Sequence, residues 1–246
     1  LGNFNKEPQA NWIDSDDQIS DRSVRLNEDR YKGSALYLQL YRNTKNWKSY
    51  LFLRNISPEY QANVGFVVKN NRRWLTLYHE YQNFFNKKGL QFFNLGTKAD
   101  INYTFDNNLK NISLDGIFSI KTYFNTELSY TYDWDIFKNY LGVNYKYLGK
   151  SELNFKTSPN ELFSLTLRMT FGKDLAYNEQ IPEVGKEFTL YAMPMLQLGN
   201  KVNVSPSIRY AHLKNLKNNL DYFNGYISRF SVRYQFNNFL NIRLVS

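Results

Sequence analysis

The feature that most constrains this chain is an alternation of apolar and polar residues that repeats at every second position. The clearest stretch sets Phe163, Leu165, Leu167, Met169 and Phe171 in alternation with Ser164, Thr166, Arg168 and Thr170. Successive side chains of a β-strand point to opposite faces of the sheet, so this pattern predicts a strand with one apolar face and one polar face. A helix would repeat its apolar residues about every 3.6 positions instead.

The same alternation recurs in short stretches from Ser34 onward, and these stretches predict about 12–14 strands. The segments are 34–41, 47–56, 64–69, 73–82, 90–105, 109–123, 126–134, 140–147, 151–157, 161–172, 187–198, 202–211, 223–236 and 239–245. No helical pattern separates them, so we expect hairpin connections and an antiparallel sheet. Residues 1–33 are polar, charged and without a clear period, and they predict an irregular segment, either a plug or a linker.

The turns agree with the assignment of the faces. A three-residue hairpin loop keeps the apolar face on residue numbers of the same parity, and a two-residue loop changes the parity. This rule predicts three-residue loops at Gly199–Lys201 and Asn237–Phe239, and a two-residue turn at Asn107–Asn108. Longer polar stretches at 172–185 and 212–222 predict loops at the other end of the strands.

The two faces carry the residues on which the functional interpretation depends. The apolar face includes Phe93, Ile101, Tyr103, Leu114, Phe118, Leu165, Leu167, Val204, Phe230 and Val232. The polar face includes the charged residues Lys98, Asp100, Asp115, Lys121, Glu127, Asp133, Arg168, Arg209, Arg229 and Arg233. In a soluble sandwich or barrel the apolar set would fill the core, whereas in an outer-membrane barrel it would face lipid and the polar set would face the lumen.

Three features favour lipid. Full charges occur in the middle of the polar face, where a wet lumen tolerates them. The strands 90–105 and 223–236 are long enough to extend past a bilayer. Aromatic residues recur near the ends of the apolar stripes, as in the girdles of membrane barrels: these are Trp47, Phe105, Trp134, Tyr147, Phe171, Tyr210 and Tyr234. Closure into a barrel would also remove the two unpaired edges of such a sheet. The sequence therefore favours an antiparallel transmembrane β-barrel at residues 34–246, located in a bacterial outer membrane.

The charge is the second constraint. Lys and Arg number 31 against 22 Asp and Glu, a net charge of +9. Nucleic-acid platforms mix aromatic and basic side chains on one surface. Here the aromatic residues lie mainly on the apolar face, which argues against a nucleic-acid partner. The charge fits loops that meet anionic lipopolysaccharide or lipid headgroups, and it also fits a basic lumen, either open or plugged by pairing with carboxylates.

Two stretches resemble a known family. The segment Ser57–Val67 combines Ser-Pro-x-aromatic with Gly-Phe-Val and precedes the Arg-containing stretch 69–73, and the chain ends with 233–237 and 240–245. These elements resemble large Bacteroidota outer-membrane proteins that join a family-9-like carbohydrate-binding module to a C-terminal domain of unknown function. The resemblance implies a β-barrel at the C-terminal domain, and it assigns neither an activity nor a sugar-binding residue to this chain.

The sequence offers little for catalysis. The only histidines are His79 and His212, there is no cysteine, and neither a Gly-rich phosphate loop nor Gly-x-Ser-x-Gly occurs. The acidic run 14–17 lacks the Gly and Glu spacing of a calcium loop. We therefore expect no catalytic residue, no cofactor and no bound metal. The predicted function is a non-enzymatic membrane anchor or a partner subunit of an outer-membrane assembly for glycan uptake, secretion or barrel insertion. A diffusion channel with a basic lumen is the alternative, followed by a soluble all-β binding protein or an outer-membrane hydrolase.

Overall fold

The computed structural model describes residues 33–58, 60, 70–87, 89–123, 125–177, 182–237 and 239–246. The irregular segment predicted at residues 1–33, the acidic run 14–17, the strand predicted at 64–69 and the Gly-Phe-Val part of the family resemblance lie outside these residues, apart from Gly33. Within them the chain is all-β. None of its segments is a helix long and apolar enough to cross a membrane.

The described residues form twelve strands. They are β1 (Ala35–Asn43), β2 (Trp47–Ile56), β3 (Arg72–Lys87), β4 (Leu90–Tyr103), β5 (Leu109–Thr122), β6 (Glu127–Tyr140), β7 (Val143–Thr157), β8 (Phe163–Leu175), β9 (Val184–Leu198), β10 (Val202–Asn215), β11 (Asp221–Gln235) and β12 (Asn241–Val245). The predicted all-β class and the predicted number of strands are thereby confirmed.

The twelve strands form one antiparallel sheet in which every strand pairs with its neighbours in the chain. β1 and β12 are the two ends of this order, and among the described residues they are not paired with each other, so the sheet is not closed. The antiparallel hairpin topology expected from the sequence is confirmed.

The chain divides into two compact units. The first comprises residues up to His79 together with Thr97–Leu114 and Trp134–Tyr147. The second comprises Glu80–Gly96, Asp115–Asp133 and Leu148–Ser246. Strands β3 to β7 therefore contribute part of their length to each unit, and β8 to β12 lie in the second unit alone.

The largest departure from the predicted strands concerns β6 and β7. The segments predicted separately at 140–147 and 151–157 were wrong, because 143–157 is one strand and β6 continues to Tyr140. The turn lies at Leu141 and Gly142, whose φ angles are 50° and 78°. Positive φ at both central residues is the geometry of a type I′ hairpin turn, whose twist matches that of the flanking strands.

The turn between β4 and β5 also differs from the prediction. The Thr104 amide donates to the Asn108 carbonyl at 2.8 Å, and the Asn107 amide donates to the Thr104 carbonyl at 3.1 Å. The loop therefore contains Phe105–Asn107 rather than two residues at Asn107–Asn108. Asn107 adopts a φ of 65°, which asparagine tolerates better than most residues. The three-residue loop at Gly199–Lys201 is confirmed, because Leu198 pairs with Val202 on either side of it.

The loops predicted as long are shorter than expected. β8 continues to Leu175 and β9 begins at Val184, within the predicted loop 172–185. β10 continues to Asn215 and β11 begins at Asp221, within 212–222. The ladder therefore extends into both stretches, and Leu175 and Asn215 at the new strand ends are buried.

Two prolines interrupt the ladder between β9 and β10. Pairing runs from Val202 to Val204 against Leu198 to Leu196 and resumes at Ile208 opposite Ala192. The same register places Pro206 opposite Pro194, and neither residue has an N–H to donate. A recess of about 550 Å³ lies over this gap, lined in part by both prolines.

Burial in this fold is the reverse of a soluble core. The buried hydrophobic residues are Ile56, Tyr145, Leu148, Leu175 and Ala176. The buried polar residues are Ser57, Asn71, Arg72, Thr76, Glu80, Gln82, Asp100, Thr104, Lys110, Ser119, Ser151, Thr170, Asn215 and Ser231. Large hydrophobic side chains are meanwhile exposed along nearly every strand. The polar side chains are therefore the better covered of the two sets, and many large apolar side chains are exposed.

Candidate functional site

The apolar face of the second unit is continuous across five strands. Backbone pairing aligns Phe163 with Leu196, Leu196 with Val204, Val204 with Val232, and Val232 with Leu244. Directly opposed residues of an antiparallel pair share a face, so these five side chains form one apolar row from β8 to β12. The row shows that the apolar positions of β8 to β12 lie on the same face of the sheet.

The residues predicted for the apolar face are all accessible to some degree. Tyr103, Leu114, Phe118 and Phe230 are exposed, the last by 50%. The others, which are half-buried, are Phe93, Ile101, Leu165, Leu167, Val204 and Val232. None of the ten is enclosed in a dry core, which a soluble barrel would require of its apolar face.

The residues predicted for the polar face differ widely in their surroundings. Asp100 is buried, whereas Glu127, Arg168, Arg209, Arg229 and Arg233 are exposed. The remaining four, Lys98, Asp115, Lys121 and Asp133, are half-buried. Within this set Lys98 and Asp100 form an ion pair, and Arg168 pairs with Glu152, which is outside the set.

Asp100 is the centre of a buried polar cluster in the first unit. Its side chain is paired with Lys98 and accepts a hydrogen bond from the Thr76 hydroxyl. The Trp74 indole N–H donates to the same carboxylate at 2.9 Å. A carboxylate that is 4% exposed needs such partners, because burying an uncompensated charge is costly. β3 and β4 are therefore joined by side chains on their polar face as well as by the ladder.

A second cluster lies on the polar face of the second unit. Lys150 Nζ is 2.9 Å from Asp174 and 3.8 Å from Glu187, so one ammonium connects β7, β8 and β9. A third cluster joins β3 to β5: Asn94 donates to the Glu80 carboxylate at 2.9 Å and accepts from the Ser119 hydroxyl. These clusters link neighbouring strands by side chains on the polar face, although one carboxylate oxygen of Glu80 and one of Glu187 are buried without a hydrogen-bond partner among the described residues.

The polar face of β10–β12 has a different electrostatic character. Arg168 on β8 still has partners, because its Nε donates to Asn154 at 2.8 Å and lies 3.9 Å from Glu152. Arg209, Arg229 and Arg233 make no ion pair with any carboxylate in the part of the chain that the structure describes. The basic charge predicted for the polar face is thus concentrated at this end of the sheet.

Of the aromatic residues predicted at the ends of the apolar stripes, Trp47 and Tyr234 lie at strand ends, whereas Trp134 and Tyr210 lie inside β6 and β10, because these strands are longer than predicted. Tyr147 is 61% exposed and its ring lies 6.3 Å from that of Trp134. Trp47, Phe171 and Tyr234 are also exposed. Of the remaining predicted residues, Phe105 and Tyr210 are half-buried, and the Arg73 guanidinium lies 4.6 Å from the Phe105 ring centre.

The two histidines belong to different local arrangements. His79 stacks on Trp47 with ring centres 5.0 Å apart, and its Nδ1 is 2.8 Å from the Ser49 hydroxyl. His212 Nε2 is 2.7 Å from Asp221. Among the described residues, no group of three or more His, Cys, Asp and Glu side chains could hold a metal ion. The absence of catalytic residues stays a prediction.

A polar cluster lies beside two connections, the one between β8 and β9 and the one between β10 and β11. Tyr222 and Asn215 donate to the Glu183 carboxylate at 2.5 and 2.7 Å. These hydrogen bonds, the Tyr222 bond first, hold the pKa of Glu183 below its ordinary value. The cluster joins two connections at the same end of the strands.

The alternation along single strands could not identify several of these residues. Lys150, Asp174 and Glu187 meet because three strands are in a particular register, and nothing in one strand reveals that register. Thr76, Glu80 and Gln82 follow a period of two in β3, so the polar face of this strand could have been recognised. Lys201 and Arg243 lie in a turn and in the last strand, where the pattern is short.

Comparison with known proteins adds no relative. No protein-family model, no curated protein and no solved structure matches the chain. The resemblance to Bacteroidota outer-membrane proteins stays a prediction.

Proposed function

We propose that this chain is a transmembrane β-barrel of a bacterial outer membrane that acts as a membrane anchor or as a partner subunit of an outer-membrane assembly. The observation that supports it best is the reversed burial, in which polar side chains are covered and large apolar side chains are uncovered. The solvent that suits such a surface is hydrocarbon, with the exposed apolar face toward lipid.

The exposed apolar side chains would be unfavourable in water. Removing a Leu, Ile or Phe side chain from water is worth roughly 1.5–3 kcal/mol. Leu36, Leu38 and Leu40 on β1 and Phe230 on β11 are between 46% and 57% exposed. Contiguous exposure of this kind on strand after strand would make an aqueous monomer prone to aggregate. A bilayer offsets the exposure without any rearrangement of the sheet.

Strand length supports the same proposal. A tilted strand needs about 9–11 residues to cross the hydrocarbon core. β3 has 16 residues and β7, β9 and β11 have 15. These strands therefore have residues to spare at their ends, where the exposed aromatic rings would meet the headgroups. The proposal also requires the free edges of β1 and β12 to be hydrogen-bonded in the bilayer, because an unpaired backbone group costs several kcal/mol there.

The polar clusters favour an anchor over an open pore. Asp100 is buried with matched partners, Ser119 is bonded to Asn94, and Lys150 is shared between two carboxylates. Side chains held in this way stiffen the wall and leave little free charge along β3–β9. An anchor or partner subunit needs that rigidity, whereas a channel needs unoccupied space.

One observation favours a diffusion channel as the second candidate. Arg209 and Arg229 are exposed on the polar face and have no carboxylate partner among the described residues. A lumen lined by such side chains would select for anions. The two candidates share the membrane location and differ only in whether the polar face borders continuous water.

Refolding of the full chain from urea tests the shared part. We expect a folded, protease-resistant β-sheet with uncharged phospholipid vesicles and aggregation without lipid or detergent. A folded monomer in plain buffer would contradict the proposal. Single-channel recording then separates the candidates: silence supports an anchor, whereas discrete currents that fall with Arg229→Glu support a channel.

A further inference from the structure

A second feature of the polar face lies at the end of the sheet near the Gly199–Lys201 turn. A pocket of about 260 Å³ is lined there by three cationic residues, Lys201, Arg233 and Arg243, together with amide and hydroxyl side chains from β9, β10 and β11. We propose that this pocket binds a phosphate-type oxyanion, either free or as the headgroup of a lipid.

The register brings two of the cations together. Arg233 on β11 is directly opposite Arg243 on β12. Phe230 and Ser246 exchange both backbone hydrogen bonds, at 3.0 and 2.9 Å. Because hydrogen-bonded and non-hydrogen-bonded pairs alternate along an antiparallel ladder, Arg233 and Arg243 form a non-hydrogen-bonded pair, in which opposed Cα atoms are only about 4.5 Å apart. Like charges at such a position destabilise the pairing of the strands.

No carboxylate in the described part of the chain offsets this repulsion. The one side-chain interaction of Arg243 there is from its Nε to the Ser231 hydroxyl, at 3.4 Å. Lys98 and Lys150, which lie elsewhere on the polar face, each have an acidic partner. A bound anion would place between Arg233 and Arg243 the negative charge that carboxylates of the sheet provide for Lys98 and Lys150.

The donor chemistry points to phosphate in particular. A guanidinium presents two N–H groups in a fork that matches a pair of oxyanion oxygens, and an ammonium adds a compact charge. The wall beside them is held in place, because Asn203 donates to Gln197 at 3.1 Å and Gln197 donates to the Gly199 carbonyl at 2.8 Å. Two forks and one ammonium suit a tetrahedral oxyanion better than a monatomic anion.

The inference goes beyond the proposed membrane role and does not depend on it, because the pocket lies on the polar face. Calorimetric titration of the full chain in an uncharged detergent, at constant ionic strength, tests it with inorganic phosphate and with micelles containing phosphatidic acid. We expect Arg233→Gln and Arg243→Gln each to weaken binding about tenfold, as the loss of one charge-assisted hydrogen bond predicts.

Two further variants keep the test decisive. Lys201→Gln changes an exposed turn residue and leaves the strands intact, and it should also weaken binding. Arg209→Gln removes the same charge from the same face outside the pocket and should change affinity less than about twofold. Binding of both probes supports a free oxyanion, and binding of the phosphatidic acid micelles alone supports a lipid headgroup. The proposal is overturned if neither probe binds, if binding survives the Arg233→Gln/Arg243→Gln double variant, or if Arg209→Gln weakens it equally.

Discussion

Replacement of Leu167 by arginine tests the orientation of the sheet directly. Leu167 lies near the middle of β8, opposite Phe155 on β7 and Ala192 on β9. Its half-buried side chain shares the apolar face with both neighbours. If this face meets lipid, an arginine at that depth should cost about 2–4 kcal/mol. That cost lowers the ratio of folded to unfolded protein roughly 30- to 700-fold.

The matched control is the adjacent position on the opposite face. Thr166→Arg introduces the same side chain between Lys156 on β7 and Met193 on β9. The like charge of Lys156 opposite it should cost roughly 0.2–1 kcal/mol. The two variants carry the same charge and volume and sit in the same strand, so their difference isolates the environment of each face.

The assay is urea titration of each variant folded in phospholipid vesicles, followed by tryptophan fluorescence. We expect the free energy of unfolding to fall at least about 1 kcal/mol further for Leu167→Arg than for Thr166→Arg. If Thr166→Arg is instead the more damaging variant, the apolar face is the one enclosed by protein, and the orientation argued above is inverted.

Three further predictions use the same titration, in detergent micelles. Asp100→Ala should cost about 2–3 kcal/mol, because it leaves the Trp74 indole N–H without its acceptor, and a red-shifted Trp emission should accompany the loss. Gly172→Ala should cost more than about 1 kcal/mol, since φ is 151° and the new Cβ would lie 2.6 Å from the Lys150 Cα; unchanged stability would contradict that geometry. Because the folded-state pKa of Glu183 is lowered, its contribution is present above the unfolded-state pKa and is lost as the pH falls through the folded value. Wild type should therefore exceed Glu183→Gln in stability at neutral pH and approach it in acid, and a gap independent of pH would refute the cause.

The faces of the strands could be predicted because they depend only on neighbouring residues. Ser164 and Leu165 must point in opposite directions wherever β8 lies in the sheet. The approximate number of strands was also accessible, since most apolar stripes end at a polar break, although the break expected between 147 and 151 lies within β7. The pattern alone did not show whether the apolar stripes face protein or another medium. The burial of Asp100 and the exposure of Leu114 favour another medium.

The boundaries that failed did so for local reasons. The break between the segments predicted at 140–147 and 151–157 contains Gly149, which instead lies within β7, where the Tyr132 hydroxyl occupies the space of a Cβ. The actual turn uses Leu141 at positive φ, a conformation that leucine rarely adopts and that no propensity indicates. The ion pairs of Lys150 could not be predicted either, because they require the relative alignment of three strands.

The opposed prolines at 194 and 206 leave a gap in the backbone hydrogen bonds between β9 and β10. At these positions neither strand can donate a backbone hydrogen bond. β9 and β10 are therefore paired on both sides of the prolines but not at the prolines themselves. β10, β11 and β12 can therefore come away as a three-stranded flap, with fewer bonds to break than along a complete ladder. The amides of Val204 and Ile208 face β9 on either side of the gap, whereas those of Ser205 and Ser207 face β11. We therefore expect the amides of Val204 and Ile208 to exchange with solvent deuterium before those of Ser205 and Ser207.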